Sequence, residues 1–331
     1  MGALAPPPSR RATGVRAGAR GAGRGTRDDQ RGGAPVVGAR VLFGEDGVDV
    51  CLHDRERVSL PADGHAAHDA PMDEPFTALP GPPGREPDVQ DDFRDGPRPD
   101  LWVPHYLPHW TTPDRSAARF DTVGDGIRLR IDRDQPDWRP EDAPLRVSNL
   151  QTGTYSGALG TSRGTHRHRD DGLVVRTEVP TRLLWAPSAG RVDITVSASR
   201  DLDCMLAAWL VGTEHEDELA AGEVCIFEID AAAIGEESTA RSGVKAHGDP
   251  GLTTDMADVR LPFDATRPHT WTAIWGEGET VIGCEGVVVR RVHQAPDYPL
   301  VLLVDLFEIG HPRGTYPKTA TIHSVRGWDA R

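Results

Sequence analysis

The sequence predicts an all-β protein, an antiparallel two-sheet jelly roll preceded by a disordered N-terminal region. Three observations carry that reading. Short runs alternating apolar and polar residues recur from Gly126 to the end of the chain, as half-buried strands require. Turn clusters separate them, among them Gly124-Asp125-Gly126, Ser188-Ala189-Gly190 and Gly276-Glu277-Gly278. No segment holds helical periodicity for three turns, and the 36 Gly and 28 Pro interrupt helices.

Taken in order, Met1 to Arg40 is Gly, Arg, Ala and Pro with almost nothing to bury, so it is expected to be disordered. Val41 to Leu60 holds a few apolar residues around Gly44-Glu45-Asp46-Gly47, the pattern of a hairpin. Residues 61–100 contain nine prolines and read as a linker. The boundary is placed at 87, giving a tail and linker over 1–87 and a folded domain over 88–331 that opens near Val89 to Phe93. Deleting 1–87 is expected to leave stability nearly unchanged. Strands are predicted at Gly126–Ile131, Gly172–Glu178, Arg191–Ala198, Cys204–Val211, Glu223–Ile229, Thr270–Trp275, Thr280–Val289, Pro299–Phe307 and Thr319–Val325. So many short strands joined by turns suit a sandwich or jelly roll.

Composition narrows the function classes. The 331 residues suffice for a full core, and no run of eighteen apolar residues marks a membrane helix. The first forty residues hold eight Arg against Asp28 and Asp29, a balance of +6; subtracting that from −14 leaves −20 on the acidic remainder. An acidic body disfavours nucleic acid as a partner. Cys51, Cys204, Cys225 and Cys284 lie far apart, match no zinc spacing and read as free thiols. Arg10-Arg11 is followed by no apolar stretch, so no signal peptide is recognised and location stays open.

One segment stands apart: Gly222-Glu223-Val224-Cys225-Ile226-Phe227-Glu228. In a plain strand, residues five apart point to opposite faces. A β-bulge after Cys225 brings Glu223 and Glu228 onto one face. Retaining glycoside hydrolysis needs two carboxyl groups about 5–5.5 Å apart, one as nucleophile and one as proton donor. By pattern alone two roles stay open: that pair, or the watered face of a sandwich strand. A second register, Glu228-Ile229-Asp230, is rejected because Ala232 stands where its second Glu belongs.

This segment resembles the bulged E-x-D-x-x-E signature of the family 16 glycoside hydrolases, the laminarinases, lichenases and related β-glucan and galactan enzymes. Further likenesses follow in the same order along about residues 89–328. Tyr155-Ser156-Gly157, Gly190-Arg191-Val192-Asp193 and Ala207-Ala208-Trp209 precede the motif. Val244-Lys245-Ala246-His247, Pro268 to Trp275, Gly283-Cys284-Glu285-Gly286 and Thr321 to Trp328 follow it. The resemblance implies a concanavalin A-like sandwich with a concave cleft, Glu223 as nucleophile and Glu228 as acid/base. It implies a retaining hydrolase or transglycosylase acting on a β-linked polysaccharide, with a non-catalytic, lectin-like carbohydrate binder as the alternative. No cofactor is required, no metal site or structural calcium is predicted, and a monomer is expected.

The sequence departs from the family at Cys225, where the motif carries Asp. A neutral thiol accepts hydrogen bonds weakly and lacks a carboxylate's effect on its neighbours. Position 225 is therefore expected to tune the pair, and Cys225→Asp to raise kcat near neutral pH.

Other candidates are drawn from the cleft the resemblance implies. Trp209 is expected to offer a ring for sugar stacking or core packing. His247 is expected near Glu228 or the sugar, or as a structural histidine. Trp110 and Tyr155 join the substrate-binding set, with Trp102 and Tyr106 in the same segment as Trp110 read as edge plugs, and Asn149 and Gln151 as polar contacts. His166-Arg167-His168-Arg169, beside Asp170-Asp171, reads as a solvated loop. Asp305 and Glu308 share a strand without an assigned role.

Overall fold

The computed structural model describes residues 77–169 and 172–330. The tail over 1–40, the hairpin around Gly44 and Cys51 lie outside the described residues. Alternating runs form strands because one face of each can be buried while the other meets loops or solvent. In chain order these are β1 (Val89–Asp91), β2 (Arg119–Val123), β3 (Gly126–Ile131), β4 (Leu145–Gln151), β5 (Gly153–Thr154) and β6 (Arg182–Leu183). Then come β7 (Gly190–Ser197), β8 (Cys204–Gly212), β9 (Glu223–Asp230), β10 (Ser238–Lys245) and β11 (Asp255–Leu261). The last are β12 (His269–Gly276), β13 (Glu279–Cys284), β14 (Val287–Val292), β15 (Leu300–Ile309) and β16 (Lys318–Asp329).

Two large antiparallel sheets result. One runs β14-β13-β12-β7-β16-β3-β2 with β1 added against β16; the other runs β11-β10-β9-β8-β15-β4. Non-consecutive neighbours such as β7-β16 and β8-β15 are the crossovers of a jelly roll. Between the sheets lies a core that includes Ile127, Ile194, Leu206, Leu210, Phe227, Trp271 and Val304. Along β8 the even-numbered Leu206, Ala208 and Leu210 join that core. The odd-numbered Met205, Ala207, Trp209 and Val211 face outward, into a second cluster with Tyr106, Leu107, Trp110 and Trp138. Loops therefore cover the outer face of the six-stranded sheet, and the candidate site lies there.

Three expectations need correction. Gly172–Glu178 forms no strand: the chain there spans the outer face, with the Val175 N–H donating to the Thr161 carbonyl and the Arg176 N–H to the His109 carbonyl. The run from Thr280 to Val289 is two strands, because Glu285 and Gly286 take positive φ and turn the chain. Residues 77–87, expected within the linker, are docked on the sandwich. Ala78 bridges Val287, the Arg191 guanidinium donates to the Pro80 carbonyl at 2.5 Å, and that of Arg85 donates to the Asp329 carbonyl at 2.5 Å. Among the described residues no helix is long and apolar enough to cross a membrane, and Cys204, Cys225 and Cys284 are free and buried.

Candidate active site

The pairing of β8 with β9 slips by one residue: Ala208 opposes Phe227 and Trp209 opposes Cys225, so Ile226 is the extra residue of a β-bulge. Ile226 and Phe227 both enter the core between the sheets. Glu223, Cys225 and Glu228 are thereby turned to the same outer face, where one carboxylate oxygen of each Glu and the thiol sulfur lie within 4.8 Å of one another. Ser242 on β10 holds the irregularity: its hydroxyl lies 3.2 Å from the Cys225 carbonyl and 2.9 Å from the Ile226 carbonyl, to which it donates. Opposite Cys225, Gly243 has φ 152°, and an added Cβ would come within 2.0 Å of the Asp255 carbonyl oxygen. The strand β11 approaches too closely there for any side chain.

Cations surround the carboxylates. The Lys245 ammonium lies 3.1 Å from Glu223 Oε1 and 2.8 Å from Glu228 Oε1. Arg241 reaches Glu228 Oε2 at 2.5 Å, and His247 Nε2 lies 2.7 Å from Glu223 Oε2. Burial opposes ionisation of Glu223, but the Lys245 charge and the His247 hydrogen bond outweigh it and hold the carboxyl well below the usual carboxylate range. Burial, reinforced by the Glu228 charge, pushes the Cys225 thiol well above its ordinary value and keeps it neutral. Nearby, Asp305 is fully buried and accepts a 2.6 Å hydrogen bond from Trp209 Nε1. Burial raises its carboxyl well above the ordinary range, with the Glu223 charge adding to the effect.

A segment over 163–169 crosses this face. The Trp110 indole donates to the Thr165 carbonyl at 3.0 Å, and the Glu214 carboxylate accepts the His166 N–H. The His166 ring packs against Trp209 at 4.8 Å and edge-on against His247 at 4.9 Å. His168 sits 3.3 Å from Asp142, which also pairs with the buried Arg139 at 2.8 Å. The solvated-loop reading of His166 to Arg169 is thus wrong at its two histidines: contacts with aromatic rings and a buried carboxylate draw them inward. Beneath the segment a cavity of about 60 Å³ is lined by Tyr106, Trp138, Trp209, Glu223, Glu228, Lys245 and His247, among others.

The structure brings Glu223, Cys225, Glu228, Trp209 and His247 together, with His247 bonded to Glu223 and not to Glu228. Two members of the substrate-binding set lie elsewhere. Trp110 is 0% exposed and anchors the crossing segment. Tyr155 lies against His215, their ring centroids 6.2 Å apart, and does not line the cavity. Trp102 is core and donates to Asp91 at 3.0 Å. Asn149 donates to the His105 carbonyl and to Gln151, and Gln151 accepts the Leu107 N–H, so both serve the covering loop. Lys245, Arg241, His166 and Asp305 are the participants that sequence reasoning missed. A lysine two residues before His247, directly across the ladder from Glu223, was the available signal.

No protein-family model and no curated protein matches the sequence. Solved structures do match. A GlcNAcα1-4Gal-releasing endo-β-galactosidase from Clostridium perfringens is 20% identical with a TM-score of 0.65, over 77% of this chain and 65% of that one. The chain thus spans slightly under two thirds of that enzyme's length. A non-specific endo-β-1,3(4)-glucanase of family GH16, SCLam, is 13% identical with a TM-score of 0.52, over 77% of this chain and 99% of that one. The catalytic domain of an endo-1,3-β-glucanase from Thermotoga petrophila is 13% identical with a TM-score of 0.50, over 73% of this chain and 96% of that one. The likeness is one of fold: the two-sheet jelly roll is that of family 16 glycoside hydrolases.

Proposed function

We propose that this protein is a retaining glycoside hydrolase or transglycosylase acting on a β-linked polysaccharide, of the β-glucan or galactan class. One observation carries the reading: the bulge at Ile226 sets Glu223 and Glu228 on one face with carboxylate oxygens within 4.8 Å. That closeness of the oxygens supports the retaining geometry, in which the two carboxyl groups lie about 5–5.5 Å apart. The fold neighbours support the sugar class, since their names give them β-galactoside and β-glucan linkages.

The chemistry follows from the charges. Glu223, ionised beside Lys245 and His247, attacks the anomeric carbon while Glu228 gives a proton to the departing glycosidic oxygen. A covalent glycosyl-enzyme forms and the aglycone leaves. Water, or a sugar hydroxyl in transglycosylation, then attacks the same carbon, gives its proton to Glu228 and releases Glu223. Lys245 has three donors, so it can stay on Glu223 while its bond to Glu228 yields to the incoming oxygen. The test is a panel of laminarin, mixed-linkage glucan, agarose, carrageenan and xyloglucan, with new reducing ends and their anomeric configuration read by NMR. The expected result is cleavage of one polymer class with retention. Inversion, or neither cleavage nor binding of any polymer, overturns the reading.

A second reading, non-catalytic carbohydrate binding, is favoured by the two cations on Glu228, at 2.8 and 2.5 Å, where proton donation needs a carboxylic acid. Glu223→Gln separates the two. An enzyme loses turnover and keeps its ligand; a binding protein shows no turnover to lose.

A further inference from the structure

Two groups of metal-capable donors share Glu223, and they differ in one respect. Glu223, Cys225 and Glu228 bring one donor atom each within 4.8 Å of one another. Lys245 already supplies a cation to that group, in contact with both carboxylates. His166, Glu223 and His247 meet the same 4.8 Å limit. There the carboxylate can offer Oε2, the oxygen turned toward His247, while Oε1 stays with Lys245.

His166 is the telling residue. Its Nδ1 is sealed from solvent and has no hydrogen-bond partner among the described residues. A buried imidazole nitrogen left unpaired is costly, and such orphans in a fold call for an explanation. Both histidines also hold left-handed backbone, φ 57° at His166 and 46° at His247, which non-glycine residues adopt at a cost in free energy. Glu214, itself at φ 55°, fixes the first of them by accepting its backbone N–H. Two strained histidines converge on one carboxylate.

We propose that His166, His247 and Glu223 form a binding site for one divalent transition-metal ion of the zinc class, with a fourth position open to the cavity. Two imidazoles and a carboxylate suit zinc and its neighbours, whereas calcium and magnesium prefer all-oxygen sets. The cavity, about 60 Å³, exceeds the roughly 10–15 Å³ that holds one water, so an ion and a water fit in it. The sequence spacing predicts no metal because the ligands come from distant elements. Glu223 and His247 belong to the six-stranded sheet and its margin, and His166 to the segment that crosses it. The ion therefore clasps that segment to the sheet. The inference does not rest on the glycosidase reading: Glu223 cannot hold the ion and attack a sugar at once, so metal binding and turnover exclude each other, and binding is measured without any sugar.

The test uses the full chain, stripped with chelator and kept reduced, titrated with zinc by calorimetry and with cobalt by visible absorption. One site per chain is expected, with zinc raising the wild-type melting temperature. His166→Ala and His247→Ala are each expected to weaken binding at least tenfold and to abolish the thermal shift. Cys225→Ser is expected to keep the site, and wild-type cobalt protein to lack the near-ultraviolet charge-transfer band of a thiolate ligand. The two histidines sit on different elements, so a folding failure in one variant leaves the other informative. Absence of the site in wild-type protein, unchanged binding in both histidine variants, or binding that follows Cys225 overturns the proposal.

Discussion

Lys245 pairs in register with Glu223 across the β9-β10 ladder, yet its ammonium makes its shorter contact, 2.8 Å, with Glu228. One buried cation thus spans both carboxylates of the bulged strand and, with the His247 hydrogen bond, holds Glu223 ionised.

Lys245→Met is expected to remove that support at nearly constant volume. Breaking a buried pair by removing one partner costs about 3–5 kcal/mol, so chemical denaturation is expected to show a loss of that order. On the polymer the wild type cleaves, kcat is expected to fall at least tenfold. A variant that keeps wild-type turnover would mean that another group holds Glu223 ionised.

Ser242→Ala is expected to destabilise the fold by about 1–3 kcal/mol, because the Ile226 carbonyl at the bulge loses its buried donor. If the hydroxyl also fixes the register, turnover falls further than the unfolding midpoint accounts for. Equal urea midpoints in the two proteins would remove Ser242 from the account of the bulge.

Cys225→Asp adds a third carboxylate to a group that now holds a neutral thiol. Repulsion between carboxylates favours keeping a proton among them. The basic limb of the pH–rate profile is expected to move upward, with a higher kcat near neutral pH. An unchanged or lowered limb would make the thiol a packing group.

His109 is fully buried, and burial pushes its imidazole down to about 3. The folded protein therefore keeps it neutral while the unfolded chain, near 6.5, takes up a proton. Stability from this group is present above about pH 6.5 and is lost as pH falls from there toward 3. His109→Gln is expected to flatten the acid side of the stability curve by up to one proton, about 1.4 kcal/mol per pH unit. Parallel curves for the two proteins would contradict the assignment.

Deleting residues 1–87 is expected to lower the melting temperature, because the cut removes the Ala78 bridge, the Pro80 carbonyl that Arg191 holds and the Arg85 contact with Asp329. A cut after residue 76 leaves those contacts in place. Equal melting temperatures for the two truncations would mean that the docked stretch contributes nothing.

The sandwich was legible because strand alternation is a local signal, and β3, β7, β8, β9 and β12 each announce themselves. The strand β10 does not: Ser-Thr-Ala-Arg-Ser-Gly-Val-Lys has little apolar alternation, and its partner on the ladder is a bulged strand. Lys245 and Arg241 went unread with it. His166 was hidden differently. Four basic residues beside two aspartates look solvated, and only the fold brings Trp209, His247 and Glu214 against them. The Glu pair was legible because its spacing is odd, a departure from strand periodicity that a bulge resolves.

That bulge makes the site a matter of parity. Strands count in twos, and between Glu223 and Glu228 the chain counts five, so one residue must be turned inward at Ile226 for both carboxylates to emerge outward. The positions between them can exchange one apolar side chain for another with modest loss, since Ile226 and Phe227 need only fill the core. Deleting the extra residue is another matter: it leaves the two Glu residues four apart, a spacing that a plain strand already sets on one face, and it does away with the bulge that the Ser242 hydroxyl holds. Either count can present the pair; only the odd one needs Ser242.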